Sequence, residues 1–224
     1  DFASGYLYYG LQRTKSGWVF REWAPNATDI YLIGDFSGWN EQERFRLKRI
    51  NEAGDWELSI PLGLIGHGQH YKMRVKWNGG QGDRIPAWCR RVVQDSNSKI
   101  FSAQVWDPVK EYQFKHKDFK PKHDPLLIYE CHVGMAQERE GVGTYIEFKD
   151  NVLPRIKAAG YNCIQVMAIQ EHPYYGSFGY HVSSFFAPSS RFGTPEELKE
   201  LIDTAHGMGI SVIMDLVHSH SVKN

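Results

Sequence analysis

Hydrophobic residues are spaced differently in the two halves of the chain. In the first half, from about residue 17 to residue 105, they form short aromatic or β-branched runs separated by turn residues such as Pro25-Asn26 and Asn78-Gly79. The runs cover residues 18–23, 30–33, 56–60 and 71–77. Short strands at regular spacing, without a helical period, predict a β-sandwich.

After residue 125 the pattern becomes one of alternating strands and helices. Three apolar runs have the composition of buried strands, and one stretch has helical spacing: 126–133, 162–168, 210–217 and, for the helix, 151–159. Thr194, Pro195 and Glu197 form the signature of a capped helix start, and this helix closes at Gly207. The order strand, helix, strand, helix, strand predicts a parallel sheet. The pattern alone leaves a doubly wound sheet and a barrel open.

The change in the spacing of hydrophobic residues divides the chain into three segments. We expect an all-β sandwich over residues 1–106, an exposed linker rich in Lys over 107–125, and an α/β region over 126–224. The total of 224 residues is enough for two ordinary domains with buried cores.

Charge and composition exclude some classes of partner. The 26 basic residues balance the 26 acidic residues, so the chain lacks the excess of positive charge that binds nucleic acid or an anionic membrane. There is no apolar run long enough to span a bilayer, and we expect no signal segment. Aromatic residues make up 14% of the chain, which suits stacking on sugar rings as well as ordinary cores.

Three cysteines point to a reducing compartment. Cys89, Cys131 and Cys163 cannot all pair with one another, and the last two lie in strand-like apolar runs, where a buried thiol is the ordinary interpretation. We therefore predict a cytoplasmic protein.

Candidate chemistry gathers where the last apolar run ends. Asp215, His218 and His220 follow it directly, and functional residues of barrel enzymes collect at the carboxyl ends of such strands. A carboxylate there can also serve only to hydrogen-bond loop amides. The two histidines have the spacing of a metal-ligand pair, but no further His or carboxylate falls at a matching strand end, so we expect no metal.

Five stretches of the second half are distinctive: Tyr-Glu-Cys-His-Val-Gly at 129–134, Asn-Val-Leu-Pro-Arg-Ile at 151–156, Ile-Gln-Glu-His-Pro-Tyr-Tyr-Gly-Ser-Phe-Gly-Tyr at 169–180, Phe-Phe-Ala-Pro-Ser-Ser-Arg-Phe-Gly-Thr-Pro at 185–195 and Asp-Leu-Val-His-Ser-His at 215–220. They resemble the catalytic barrel of the α-amylase family (glycoside hydrolase family 13). Within that family, the resemblance is greatest to the 1,4-α-glucan branching enzymes of the eukaryote-like type. It implies the first three β/α units of a TIM barrel.

The first half resembles a family-48 carbohydrate-binding module. The matching stretches are Phe-Arg-Glu-Trp-Ala-Pro at 20–25 and Gly-Asp-Phe-Ser-Gly-Trp-Asn at 34–40. This resemblance implies an immunoglobulin-like sandwich in which Trp39 stacks on a glucose ring, with Lys72 nearby. Trp77 is a weaker candidate, evenly balanced between core and sugar platform, and Trp39 itself could instead be a core residue.

The resemblance to the α-amylase family also assigns roles at the barrel end. Tyr180 corresponds to a tyrosine that stacks on the sugar to be cleaved, Asp215 to an aspartate that orders the site, and His220 to a donor to the 6-hydroxyl of that sugar. His132, which ends the first barrel strand, is expected nearby. The nucleophile and the acid/base of the family lie on later strands, so we predict no catalytic residue in these 224 residues. Many amylases use an Asn in a calcium site where this chain has Ser219, so we predict no calcium. Carboxylate chemistry and hydrogen bonds to the sugar supply the catalysis that the resemblance implies, so we predict no cofactor.

The implied reaction transfers a segment of an α-1,4-glucan to a glucan 6-hydroxyl and forms an α-1,6 branch. Glycogen, amylose and amylopectin are the expected partners, and the mechanism is a retaining double displacement. Glu171-His172 and His218-Ser219-His220 favour branching over debranching or amylase activity. A non-catalytic α-glucan-binding protein is the alternative class.

Overall fold

A computed structural model describes residues 2–121 and 125–222, which form two compact units. The first unit contains the described residues through Pro108 together with Ser184–Ala187. The second contains Val109–Ser183 and the described residues from Pro188 onwards.

Residues 2–108 of the first unit form nine β-strands. They are β1 (Gly10–Thr14), β2 (Gly17–Trp23), β3 (Ala27–Gly34), β4 (Lys48–Arg49), β5 (Asp55–Pro61), β6 (His70–Trp77), β7 (Gly80–Arg84), β8 (Val92–Gln94) and β9 (Phe101–Gln104). Short 3₁₀ turns cover Phe2–Leu7, Asp35–Ser37 and Glu43–Phe45. All four strand runs that the sequence pattern predicts in this half lie within β2, β3, β5 and β6.

These strands form two antiparallel sheets. One has the order β1-β2-β5-β4, and the other has the order β3-β6-β9-β8 with β7 paired to β6. The hairpin between β6 and β7 turns through Gly79, whose φ of 89° favours glycine, and pairs Trp77 with Gly80. The predicted all-β sandwich is confirmed.

Five strands of this unit were not expected from the sequence, and one of them, β4, has only two residues. β1, β7, β8 and β9 are short, and β7 (Gly-Gln-Gly-Asp-Arg) contains two glycines and no apolar residue. Strands of this composition are formed by pairing with a neighbour rather than by their own propensity. β7, for example, pairs along its whole length with β6.

The inner faces of the two sheets bury a common core, to which β2 contributes alternate residues. Trp18, Phe20 and Glu22 are buried, whereas Trp23 is exposed. Glu22 is therefore a carboxylate on the core face, where its Oε2 accepts a hydrogen bond from the amide of Ala87 at 3.0 Å. Burial raises the pKa of Glu22 to about 7, although hydrogen bonds from backbone amides oppose this shift.

The second unit contains a parallel sheet and helices. Its strands are β10 (Ile128–Cys131), β11 (Cys163–Val166) and β14 (Ser211–Met214), and its helices are α1 (Tyr145–Glu147), α2 (Leu153–Ala158) and α3 (Pro195–Gly207). Two short strands, β12 (Gln170–Glu171) and β13 (Ser184–Pro188), lie in the connection between β11 and α3. Short 3₁₀ turns cover Val133–Met135, Tyr175–Ser177 and Ser190–Phe192.

The sheet has the order β10-β11-β14, and both pairings are parallel. Beneath it lies a core to which α2 and α3 contribute Leu153, Ile156 and Leu201. Strand, helix, strand, helix and strand thus follow one another as predicted.

Thr194 caps α3 as predicted. Its hydroxyl accepts a hydrogen bond from the amide of Glu197 at 3.2 Å, and the Glu197 carboxylate accepts one from the Thr194 amide at 2.7 Å. Thr144 and Glu147 form the same arrangement before α1. The helical segment therefore begins at Tyr145 rather than near residue 151, and a π-helical turn at Phe148–Val152 joins α1 to α2.

The segment that the sequence suggests to be an exposed linker is held by α3 over part of its length. Asp203 of α3 is 1% exposed and accepts hydrogen bonds from the Tyr112 hydroxyl at 2.7 Å and from the amides of Lys115 and His116 at 2.8 and 2.9 Å. Burial opposes ionisation of Asp203, but these hydrogen bonds outweigh it and hold its pKa below the usual range. Most side chains from 109 to 121 are nevertheless exposed.

Candidate functional site

The parallel register brings the ends of three strands to one edge of the sheet. Cys131 lies opposite Val166, and Val166 lies opposite Met214. Backbone hydrogen bonds continue past these ends, from the Met167 amide to the Cys131 carbonyl at 2.9 Å and from the Asp215 amide to the Val166 carbonyl at 3.0 Å. The residues that follow each strand are therefore fixed at the carboxyl edge, where barrel enzymes place their sites.

Tyr180 and Asp215 meet at this edge. The Tyr180 hydroxyl donates a hydrogen bond to Asp215 Oδ2 at 2.9 Å, although the two residues are 35 positions apart. The hydrogen bond to Asp215 and, to a smaller extent, burial raise the pKa of Tyr180. The phenol therefore stays protonated at neutral pH and remains a donor, while the carboxylate is held in one orientation.

The loop that carries Tyr180 passes very close to β11. A Cβ atom on Gly179 would lie 1.9 Å from the Ala168 carbonyl oxygen, and Gly179 has a φ of 88°. The preceding residue, Phe178, has a φ of 53°, which is uncommon for a residue with a side chain. The backbone before Tyr180 is thus tightly constrained.

His132 lies at the end of β10 and is surrounded by aromatic rings. It is 7% exposed, and its ring makes edge-to-face contacts with Tyr175, Phe178 and Phe192 at centroid distances of 6.0, 5.8 and 5.5 Å. Neither ring nitrogen has a hydrogen-bond partner within the described residues. Burial lowers the pKa of His132, so the ring is neutral at physiological pH.

His220 is exposed and follows β14 by six residues. Among the hydrogen bonds within residues 2–121 and 125–222, none joins His220 to Tyr180 or Asp215. Of the four predicted barrel residues, the structure therefore joins Tyr180 with Asp215, and places His132 against the loop that leads to Tyr180. The assignment of all four to a substrate site stays a prediction.

Gln170 is a further residue at this edge that sequence reasoning did not identify. It is buried, and its side-chain Oε1 accepts a hydrogen bond from the Val217 amide at 3.0 Å. This bond joins Gln170, the first residue of β12, to Val217, which lies after β14 and two residues beyond Asp215. Only the fold brings Gln170 and Val217 together, because nothing in the sequence pattern distinguishes this glutamine from other polar residues.

The first unit contains a cavity of about 470 Å³ on the sheet that includes β3 and β6. Trp39 and Lys72 both line it, and the remaining lining residues are Asp35, His70, Asp83, Asp95, Ser98, Ile100 and Ser102. An indole, a lysine and several short polar groups around an open cavity provide both an apolar platform and hydrogen-bonding groups for a polar ligand.

Trp39 is exposed but held in place. Its indole Nε1 donates to Asp35 Oδ1 at 3.1 Å, and Asp35 Oδ2 accepts from the His70 amide at 2.7 Å. The backbone of Trp39 has a φ of 62°, and Gly38 before it is also left-handed. With 39% of its surface exposed, Trp39 is not a core residue.

Trp77 lies elsewhere in this unit. It does not line the cavity of Trp39 and Lys72, and the guanidinium of Arg84 lies 5.7 Å from its ring centroid. Gly80 packs against the indole, since a Cβ there would lie 3.0 Å from Trp77 Nε1. The structure thus joins Trp39 with Lys72 and separates both from Trp77.

Residues 2–121 and 125–222 contain neither a metal-binding cluster nor a helix that could span a membrane. There, no group of three or more His, Cys, Asp and Glu side chains is arranged to hold a metal ion. No helix in this part of the chain is long and apolar enough to cross a membrane.

Comparison with known families defines the class of protein. Residues 8–89 match the family described as carbohydrate-binding module 48 (isoamylase N-terminal domain), and residues 141–224 match the catalytic domain of the α-amylase family. The first part of the chain is thus similar to a family-48 carbohydrate-binding module, and its second part to an α-amylase-type catalytic domain. The resemblance expected from the sequence motifs is confirmed.

Curated relatives show which members of the α-amylase family the chain is similar to. The chain is 50% identical over 230 residues to a 1,4-α-glucan-branching enzyme of Dictyostelium discoideum, and 50% identical over 234 residues to one of Yarrowia lipolytica. Each match covers 100% of this chain and 33% of the relative. The chain therefore spans about a third of the length of these relatives.

A solved structure shares the fold. A putative α-amylase from Salmonella typhimurium superposes with a TM-score of 0.76 at 24% identity, over 93% of this chain and 33% of that one. At this identity the likeness supports the fold only.

Proposed function

We propose that this chain forms the amino-terminal part of a 1,4-α-glucan branching enzyme. The observation that carries the proposal is the 50% identity to two branching enzymes over the whole chain. The reaction would cleave an α-1,4 linkage through a covalent glycosyl-enzyme and transfer the segment to a 6-hydroxyl of a glucan such as glycogen, amylose or amylopectin.

Tyr180 and Asp215 would help to hold the sugar whose bond is cleaved. The hydrogen bond between them fixes the phenol ring and leaves its face available for a pyranose to stack upon. His220 would donate a hydrogen bond to the 6-hydroxyl of that sugar, and His132 would line the floor of the site. The nucleophile and the acid/base would come from barrel strands that follow β14.

The test uses a protein that carries this chain together with a complete barrel, acting on amylose. Branching lowers the iodine absorbance without creating new reducing ends, whereas amylase activity creates them. We expect branching, and we expect His220→Ala to reduce turnover on the order of 100-fold, the usual loss when a donor to the reacting group is removed. His218→Ala is the matched control and should stay close to the parent.

Two results would contradict the proposal. Release of reducing ends at the rate of cleavage would assign the protein to hydrolysis, and normal turnover of His220→Ala would remove this residue from the site. We expect no cleavage of glucan by the 224 residues alone. The activity that the proposal leaves to them is binding of α-glucan by the first unit.

The first unit would bind linear α-glucan in the cavity of Trp39 and Lys72. Trp39 presents an exposed, fixed ring, and the surrounding carboxylates and hydroxyls can hydrogen-bond to sugar hydroxyls. This cavity would keep a glucan chain near the enzyme without taking part in the chemistry. Trp77 lies outside this cavity, and we assign the glucan contact to Trp39 rather than to Trp77.

We also propose that the protein acts in the cytoplasm. Cys89, Cys131 and Cys163 are all buried, and none of them forms a disulfide within the described residues, which fits a reducing compartment. Burial raises the pKa of Cys131 to about 12, so this thiol is unreactive. Fractionation of cells that express the tagged protein would test the compartment, and recovery in an organelle would contradict it.

A further inference from the structure

The loop from 172 to 183, which carries Tyr180, is fastened at its base. Ser183 closes it, because its amide and its hydroxyl both donate to the Glu171 carbonyl oxygen, at 2.9 and 3.2 Å. The two ends of the loop are thereby held together next to β12. This contact fixes where the loop starts and ends but not the path between them.

Arg191 lies outside the loop and binds the first part of it. Its guanidinium donates to the carbonyl oxygens of His172 and Pro173, at 3.4 and 3.2 Å, and lies 5.8 Å from the ring centroid of Tyr175. One side chain thus contacts three of the first four loop residues. Guanidinium groups suit this role because several donors are held in one plane.

Glu171 in turn holds the turn that carries Arg191. The Glu171 side chain is 1% exposed, and its Oε2 accepts a hydrogen bond from the Ser190 amide at 2.7 Å. Ser190 directly precedes Arg191 in the short 3₁₀ turn Ser190–Phe192. The carboxylate before the loop therefore holds the turn, and the turn holds the loop.

We propose that Arg191 is a positioning residue for Tyr180, and that it acts by fixing the path of the 172–183 loop through its bonds to His172 and Pro173. Tyr175 follows in the same loop, and the constrained residues Phe178 and Gly179 connect it to Tyr180. A displacement at the start of the loop moves the Tyr180 hydroxyl relative to Asp215. The catalytic consequence rests on the proposed function, whereas the effect on the loop does not.

The first test measures hydrogen exchange in this chain and is independent of activity. Arg191→Met should speed exchange of the amides from 174 to 181 by roughly tenfold, since loss of the tie lets the loop open locally. Amides of β11 and α3 should keep their protection. Arg155→Met is the matched control, because Arg155 is an exposed arginine of α2 paired only with Glu138 in the described contacts.

Two outcomes of this test overturn the proposal. Unchanged exchange from 174 to 181 would show that the loop does not depend on Arg191. Loss of protection in β11 and α3 as well would make Arg191 a general stability residue. Arg191→Lys keeps the charge but loses the planar set of donors, and should give an intermediate increase confined to the loop.

The second test is a double-mutant cycle in the complete enzyme acting on amylose. Arg191→Met should lower kcat about tenfold with little change in KM, because misplacement of a reacting-site group costs rate more than binding. In a Tyr180→Phe background, the further loss should be less than about twofold. Additive losses would overturn the proposal. A wild-type enzyme without branching activity would instead reject the proposed function, and the exchange test would still decide the role of Arg191 in the loop.

Discussion

The two units use similar apolar residues but differ in how completely they bury them. In the first unit, two sheets face each other and fully enclose residues such as Phe20, Ile30 and Leu32. Among the described residues of the second unit, β10 and β14 each pair with β11 alone, and apolar residues in or next to them are exposed: Leu126, Leu127, Ile128, Tyr129, Ile213, Met214 and Leu216.

The difference shows what each architecture requires. A sandwich closes its core within about a hundred residues, because each sheet covers the other. A barrel strand is covered only when strands on both sides and side chains across the barrel are present. We expect the exposed apolar residues of β10 and β14 to be positions that neighbouring strands cover in a complete barrel.

The largest expected effect concerns the stability of the two sheets. In this chain alone, amides of β10 and β14 should exchange at least about a hundredfold faster than those of β2 and β5, because local opening is easy where few contacts resist it. Hydrogen exchange with mass spectrometry measures this directly. In a protein with the complete barrel, the difference should disappear.

Equal protection of the amides of both sheets from hydrogen exchange in this chain would contradict the expected difference. It would mean that the three-stranded sheet is stable without further strands. A dye that binds exposed apolar surface gives a second readout, since its fluorescence should be high with this chain and low with the complete protein.

The buried carboxylate of Glu22 should make the first unit sensitive to pH. The pKa of Glu22 rises from 4.5 in the unfolded chain to about 7 in the fold, so folding favours the protonated form. Its contribution to stability is complete below pH 4.5 and is lost as the pH rises through 7. At about 1.4 kcal/mol per pKa unit, the loss is at most about 3.5 kcal/mol.

Glu22→Gln removes this titration. The variant should gain stability relative to the parent between pH 5 and pH 8.5, as measured by thermal unfolding. Tryptophan fluorescence reports the first unit selectively, because all seven tryptophans lie between residues 18 and 106. Glu52→Gln, at an exposed turn, is the control, and the same pH profile for both variants would contradict the prediction.

The cavity of the first unit should bind linear α-glucan through Trp39. Stacking contributes about 1 to 1.5 kcal/mol, so Trp39→Ala should weaken binding roughly tenfold. Calorimetry with a linear malto-oligosaccharide measures the change. Trp77→Ala is the control, because Trp77 has a similar exposure but lies outside the cavity. A lower melting temperature without any sugar affinity to lose would show that Trp39 serves the fold.

The smallest effect is expected at the cap of α3. Thr194→Ala removes the hydroxyl that accepts the Glu197 amide and should destabilise the helix by about 1 kcal/mol. Hydrogen exchange of α3 amides should show the change within the second unit only. Thr204→Ala, inside the same helix, is the control and should leave the exchange nearly unchanged or slower, since alanine favours helices.

Local sequence determined the elements whose own residues favour them. The strands β2, β3, β5 and β6 are rich in aromatic and β-branched residues, and α3 begins at a complete capping box. The start of α1 could have been found in the same way, since Thr144 and Glu147 have the same spacing. Motif resemblance added the class of protein and the candidate residues.

Tertiary structure alone decided the rest. β7 is a strand only because β6 supplies partners for its backbone. The bond between Tyr180 and Asp215, and the ties from Arg191 to its loop, join residues that are far apart in sequence or unremarkable in it. Short-range patterns encode preferences of the backbone, whereas burial of a charge or the meeting of two loops depends on how distant segments pack.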